Sequence, residues 1–261
     1  MRVTILAALL MTAAPALAAP SDDLKRVMDE HWAWFLQSNP VYATVLGTRS
    51  YDDRIGDISL AEADRQAKQA QVFIDRLKAI PDAQLSPEER TNKGVLTRLL
   101  AEQVEGNRYG QRQMLFTTYY GWHQGFAGMA ESVPLRTKAD FTSYLTRLGQ
   151  YPGYNQEAIR ITRDAVRQGY TQPCVAMGGF EKTITGVITD DPTKSRFYAP
   201  FLGAKPADVS DAEWSQMQAR AKTLITGTLN PEYRRFHQFY TTEYAPNCRK
   251  TVGASAMPGG A

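Results

Sequence analysis

An all-α fold is predicted for this chain of 261 residues: a multi-helix bundle or array of long helices with one irregular, glycine- and aromatic-rich middle segment. Three observations predict it. Apolar residues recur at three- and four-residue steps over most of the length, which is the period of an amphipathic helix. Helix-opening signals of the Asn-Pro and Ser-x-x-Glu kind stand at the head of several of these stretches. Short polar turns join them, and no fixed-period repeat points to a solenoid.

The elements follow in order. From Ser21 onward, Leu24, Val27, Met28, His31, Trp32 and Phe35 form one apolar stripe. Asn39-Pro40 restarts the chain, with Asn suited to cap a short helix, Pro to its first turn, and Gly47 to its stop. Tyr51 to Ser59 is polar and turn-like. Leu60 to Ala79 is a long helix with Ala63, Ala67, Ala70, Phe73, Ile74 and Leu77 on its buried side, and Pro81 lies beyond its end. Ser86-Pro87-Glu88-Glu89 is a capping box that opens a helix carrying Leu96, Leu99 and Leu100, closed between Asn107 and Gly110. Phe116 to Met129 mixes aromatics with Gly121, Gly125 and Gly128. A glycine inside a helix costs about 0.5–1 kcal/mol relative to alanine, so a loop is expected here, or backbone brought close to something.

Thr137 to Leu148 is helical, with Phe141, Tyr144, Leu145 and Leu148 on one face. Pro152 is expected to break it, and Asn155 to Gln168 to form a separate helix that Gly169 stops. Between Pro173 and Ile188 helix and strand both stay open, because Gly178-Gly179 weakens either. Asp190 to Pro206 reads as a surface connection. Ser210-Asp211-Ala212-Glu213 is a second capping box, opening a helix with Trp214, Met217, Ala221, Leu224 and Ile225. Asn230-Pro231 opens the last helix, with Tyr233, Phe236, Phe239 and Tyr240.

Residues 1–18 have the three parts of an export signal: Arg2, an uncharged apolar run from Val3 to Ala14, and the small-x-small site Ala16-Leu17-Ala18. The mature chain is expected to start at Ala19, in the periplasm or outside the cell. The run is too short to cross roughly 30 Å of hydrocarbon, and no later stretch reaches about 20 apolar residues, so no membrane association is expected after cleavage. A lipid anchor is not expected either, since no Cys follows the cleavage site. The formal charge is +3, with 30 basic and 27 acidic residues interspersed. Nucleic-acid binding needs a clustered basic footprint, so that class is excluded. Cys174 and Cys248 are an even pair, which in an oxidising compartment favours a disulfide.

Candidate chemistry is sparse. His31, His123 and His237 are the three histidines, and none belongs to a His-Glu-x-x-His helix that would aim two imidazoles at zinc. His31 lies on the apolar stripe and is a core residue by that placement. His237 and Glu243 are six residues apart, which is not one helical turn. His123 ends the aromatic run Phe116 to His123, whose polar-tipped rings suit a ligand cleft. The plainer reading, a loop packed over a core, stands beside it, because no partner acid or base is evident. No Gly-x-Ser-x-Gly elbow and no phosphate-binding Gly-x-x-x-x-Gly-Lys-Ser/Thr run occurs. The adjacent pairs Glu88-Glu89 and Asp190-Asp191 do not make a glycosidase. No catalytic residue and no metal ligand is assigned.

One resemblance adds to this. Asn39-Pro40-Val41-Tyr42-Ala43-Thr44-Val45-Leu46-Gly47, then Tyr51-Asp52-Asp53-Arg54-Ile55 and Asp57-Ile58-Ser59, resembles the opening of the bacterial "domain of unknown function 885" family. Gly121-Trp122-His123, Tyr144 to Leu148, Gly169 to Pro173 and Ser195 to Phe201 agree in order. The similarity covers nearly all of the mature chain. It implies an exported, gluzincin-type, carboxypeptidase-like zinc metallopeptidase of about twice this length, with the zinc motif in its second half. On that basis the expected organisation is a signal peptide over 1–18, a helical domain over 19–250 that is the N-terminal half of the family domain, and a flexible tail over 251–261. No cofactor is expected in this chain, since zinc is implied only for the other half. This half would wall a substrate channel, and Tyr119, Tyr120, His123, Tyr170 and Gln172 are the candidates to face it, because glycine-rich backbone and mixed aromatic and polar residues meet there. The expected partner is a peptide or small-molecule substrate in the longer form, and self-association through an exposed apolar face is expected of this chain alone. The alternative is a periplasmic helical binding or scaffold protein with no catalysis.

Overall fold

The computed structural model describes residues 19–260, so the export signal expected over 1–18 lies outside the described residues. The fold is all-α, and among the described residues the only β pairing is two isolated bridges, Phe116 with Gly121 and Pro173 with Arg249.

Three helices build an N-terminal layer. They are α1 (Pro20–Ser38), α3 (Leu60–Ala79) and α4 (Pro87–Arg108), with the short α2 (Pro40–Val45) following α1. Leu24 and Val27 of α1 meet Phe73, Ile74 and Leu77 of α3 and Leu100 of α4 in one apolar cluster. The starts are set by local chemistry. The Ser59 hydroxyl accepts from Glu62 N, and Ser86 and Glu89 complete a reciprocal capping box. Gly47 and Gly110 take left-handed φ values of 92° and 75° where the chain turns after α2 and α4. Asn39 acts differently from the expectation. Its side-chain amide does not cap α2 but donates back to Phe35 O, closing the end of α1.

The second, larger core forms around α7 (Lys138–Gln168). Pro152 was expected to divide this region, yet it sits inside one helix of 31 residues. Proline removes only its own N–H bond and crowds the carbonyl four residues back. Leu148, Tyr151, Asn155 and Ala158 are buried on both sides of it, and that packing keeps the two halves in line. The aromatic middle is also more regular than expected. A tight turn at 116–121 leads into α5 (Trp122–Ala127) and α6 (Met129–Ser132). Gly121 is there for closeness: a Cβ on it would lie 2.8 Å from His123 Nδ1 and 2.9 Å from Phe116 Cβ.

Beyond α7 come α8 (Glu181–Thr185), α9 (Asp211–Leu224) and α10 (Asn230–Phe239). The open stretch after Pro173 resolves as a short turn and α8, with Gly179 left-handed at 80°. The 190–206 segment is not a surface connection only. Phe197, Tyr198 and Phe201 are buried in the main core, and Tyr144 Oη donates to Phe197 O at 3.0 Å. Asn230-Pro231 stands at the head of α10 as expected, but the chain does not break there. Pro231 has no N–H for a regular turn, and the chain widens into a π turn at Ile225–Leu229 and runs on into α10. A second π turn at Tyr240–Tyr244 follows. Stacked rings tie these elements to α7: Phe126 on Tyr151 at 4.3 Å and Tyr151 on Tyr233 at 5.0 Å.

Cys174 and Cys248 form a disulfide across 74 residues. It pins the strand-like exit of α10 beside residues 172–174, where Cys174 N donates to Arg249 O and Arg249 N to Gln172 O.

Candidate functional site

A groove lies where the two layers meet. Its walls are the end of α1 and α2 (Ser38 to Val45) on one side and the extended strap Ile55–Ile58 with Gln66 and Tyr154 on the other. Gly125, Met129 and Ser132 of α5 and α6 complete it, and the volume is about 520 Å³. That is within the range of ligand clefts, about 300–1,000 Å³. Two smaller hollows share Ile55, Gly56 and Asp57 with it, so the strap has open space on several sides. Gly56 is left-handed at φ 93°, which lets the strap turn next to Pro40 without a side chain. Asp57 Oδ1 accepts from Ser59 N at 2.8 Å and so fixes the approach to α3.

The strap and α2 are held by one buried arginine. Arg147 of α7 is 2% exposed and, among the described residues, is met by oxygens of the backbone and of Thr44, with the charges of Asp52 and Asp53 farther off. Its Nε donates to Arg54 O, and its Nη2 to Pro40 O, Tyr51 O and the Thr44 hydroxyl. Thr44 in turn donates to Asp52 Oδ1 at 2.6 Å, and Asp52 bonds Arg49, which reaches Asp140 at the start of α7. Burial lowers the Arg147 pKa from its ordinary value, though a guanidinium stays charged. Asp140 shows the opposite balance. Burial opposes its charge, but bonds from Arg136 N, Arg49 and Thr137 outweigh this and hold the carboxyl below the usual carboxylate range. Two separate sequence stretches, 39–59 and 144–148, therefore meet at Arg147. The arginine was passed over in the sequence. Its position on a helix face with Tyr144 and Leu148 was the available signal, because a charge on an apolar stripe requires partners.

The five channel candidates fall in different places. Tyr119 and Tyr120 stand at the tip of the 116–121 turn, 91% and 60% exposed. The turn is fixed by Thr117 Oγ1, which accepts from Tyr119 N and Tyr120 N, and by Thr118 Oγ1 donating to Ala176 O. His123 lies behind this turn with 0% exposure. It packs on Trp122, Phe180 and Phe236, and its Nε2 lies 2.9 Å from Thr183 Oγ1. Thr183 Oγ1 donates to Phe180 O, so the ring is the donor at Nε2, and buried Nδ1 has no partner. Burial pulls its pKa down to about 4. Tyr170 and Gln172 are half-buried around a narrow crevice with Phe116 and Tyr244. Gln172 Nε2 donates to Phe116 O, which joins them to the base of the same turn. The structure thus gathers all five around the 116–121 turn, and none of them lines the 520 Å³ groove.

The described residues do not fit a zinc ion. No group of three or more His, Cys, Asp or Glu side chains among them is placed to hold a metal. His31 is half-buried against Phe73, His123 is deep in the main core, and Glu243, near His237, is held by Arg163 through both oxygens. The two cysteines are bonded to each other. Among the described residues no helix is long and apolar enough to cross a membrane.

Comparison with known proteins gives a family and a structural neighbour. The profile of a family described as "Bacterial protein of unknown function (DUF885)" matches residues 40–261. A solved structure of a candidate lipoprotein from Colwellia psychrerythraea has the same fold, with a TM-score of 0.79 at 13% identity. The match covers 93% of this chain and 44% of that one, so this chain spans less than half the length of its structural neighbour. No curated protein matches.

Proposed function

We propose a function from one premise: the chain belongs to the bacterial DUF885 family. In this reading it is the helical, ligand-facing part of an exported metallopeptidase-like protein, of the carboxypeptidase type, and brings no metal ligands of its own. The supporting observation is one of proportion. The fold fills 93% of this chain but 44% of the neighbour, as a module within a longer protein would. Tyr119, Tyr120, Tyr170 and Gln172 are the side chains assigned to the substrate side, and His123 supports their turn from behind. The peptide substrate, periplasmic or secreted location and metal-dependent chemistry of the longer form belong to the same proposal.

A second reading is a periplasmic helical binding or scaffold protein, favoured by the groove between the layers. The two are separated by behaviour in solution. As the wall of a larger enzyme the chain exposes docking surface, and Val95 and Leu99 are large apolar side chains exposed one turn apart on α4. Light scattering on the purified chain is expected to show self-association, and incubation with mixed peptides is expected to show no chelator-sensitive cleavage. Chelator-sensitive turnover by this chain would overturn the assignment of a wall without a metal site, and a clean monomer would favour the binding-protein reading.

A further inference from the structure

We propose that the groove between α2 and the Ile55–Ile58 strap binds the free amino terminus of a peptide whose first side chain is apolar. The groove is a site apart from the 116–121 turn, and the proposal rests on the function proposed above only for the class of molecule, a peptide. The site itself is argued from charge and shape.

Asp57 is the one lining residue of the groove that is charged at neutral pH. An anionic ligand would meet this carboxylate with no cation on the walls to offset it, so the groove takes a neutral or positively charged group. The nearby cations are committed elsewhere. Arg65 feels the Asp57 charge but bonds Glu62 through two nitrogens, and Arg54 lies against Asp53. Asp57 spends one oxygen on Ser59 N, which leaves the other free to accept. Tyr42 and Tyr154 line the same groove, and aromatic rings attract cations.

Apolar residues adjoin the charge in the chain. Ile55 and Ile58 flank Asp57 on the strap, and Pro40, Val41, Val45 and Met129 line the same groove. An α-amino group sits two bonds from the first Cβ of a peptide, so its ammonium and its side chain reach adjacent points on a wall. A lysine or arginine side chain carries its charge much farther from any apolar neighbour. The spacing on the strap fits the amino terminus.

The test uses the full chain and three probes at pH 7 and low salt: leucyl-valine amide, its N-acetyl form, and N-acetyl-lysyl-valine amide. An α-amino group has a pKa of about 7.7–8.0 and is largely protonated there. Titration calorimetry is expected to show the free amine binding about fivefold or more tighter than the acetylated peptide, the scale of a partly exposed ion pair, with the advantage shrinking as salt is added. Asp57→Asn keeps an oxygen for Ser59 N, so the turn survives, and it is expected to remove the advantage while leaving the acetylated peptide unchanged. Equal binding of free and acetylated peptides, an advantage that persists in Asp57→Asn, or no saturable binding overturns the proposal. Binding by the lysyl probe as tight as by the free amine overturns the assignment to the amino terminus. These readouts are equilibrium binding, so they stand or fall apart from any result on peptide cleavage.

Discussion

His123 shows how a single residue can set the pH response of the whole chain. Its imidazole is enclosed by Trp122, Phe180 and Phe236, with only Thr183 to bond, and burial holds its pKa at about 4, against 6.5 for the free side chain. The folded state therefore keeps the ring neutral over a range in which the unfolded chain takes up a proton. Between pH 6.5 and 4 the unfolded state binds more protons, so folding stability falls as the pH falls through that window. The contribution is complete above pH 6.5, and at pH 5 the loss is about 2 kcal/mol. Carboxylates titrate nearby, so the measurement is a difference. Urea unfolding of the parent chain and of His123→Gln, which keeps a donor for Thr183, is expected to show the parent losing that much more stability between pH 7 and 5. Parallel pH profiles would mean that the ring is charged, or free, in the fold. Arg147 is the contrasting case, a buried group that stays charged because four oxygens take its protons.

Helix α7 makes the same point for elements. Its proline costs a hydrogen bond to Leu148 O and in an exposed helix would cost about 3 kcal/mol; here flanking burial keeps the helix whole. Pro152→Ala is expected to leave the helical content unchanged in circular dichroism and to raise stability by about 1 kcal/mol. A drop in thermal midpoint would show that neighbouring residues are packed around the proline's own geometry. The elements that were legible in the sequence were those whose ends carry their own chemistry. Ser86 and Ser210 cap as their spacing requires, and Gly47 and Gly169 stop helices in the left-handed conformation. What was illegible depended on distant partners. Pro152 carries a local stop signal that tertiary packing overrides, and Phe197 to Phe201 have no period because turns, not a helix face, deliver them to the core. The groove was invisible for a related reason. Its lining comes from stretches around residues 38–45, 55–58, 66, 125–132 and 154, and no one of these is a motif alone.

At the scale of the molecule, the main core closes around α7, and its last layer is the α9–α10 arm with the segment after it. That segment has little apolar content to hold it: beyond Cys248 the chain is mostly exposed. Two devices substitute for burial. The Arg249 guanidinium donates to Thr171 O and to the carbonyls of Thr251, Val252 and Gly253, and the Cys174–Cys248 bond closes a loop of 74 residues. In the chain-entropy account a loop of that size contributes about 4 kcal/mol by restricting the unfolded chain. Replacing both cysteines with alanine is therefore expected to lower unfolding stability by about 3–5 kcal/mol. The loss should not be uniform, because local opening follows local support. Hydrogen exchange is expected to speed up at residues 172–177 and 249–260 well before the amides of α7, whose protection comes from the core and not from the bond. If exchange in the 249–260 segment stays as slow as in the parent, the Arg249 clamp alone holds it, and the disulfide acts only on the unfolded state.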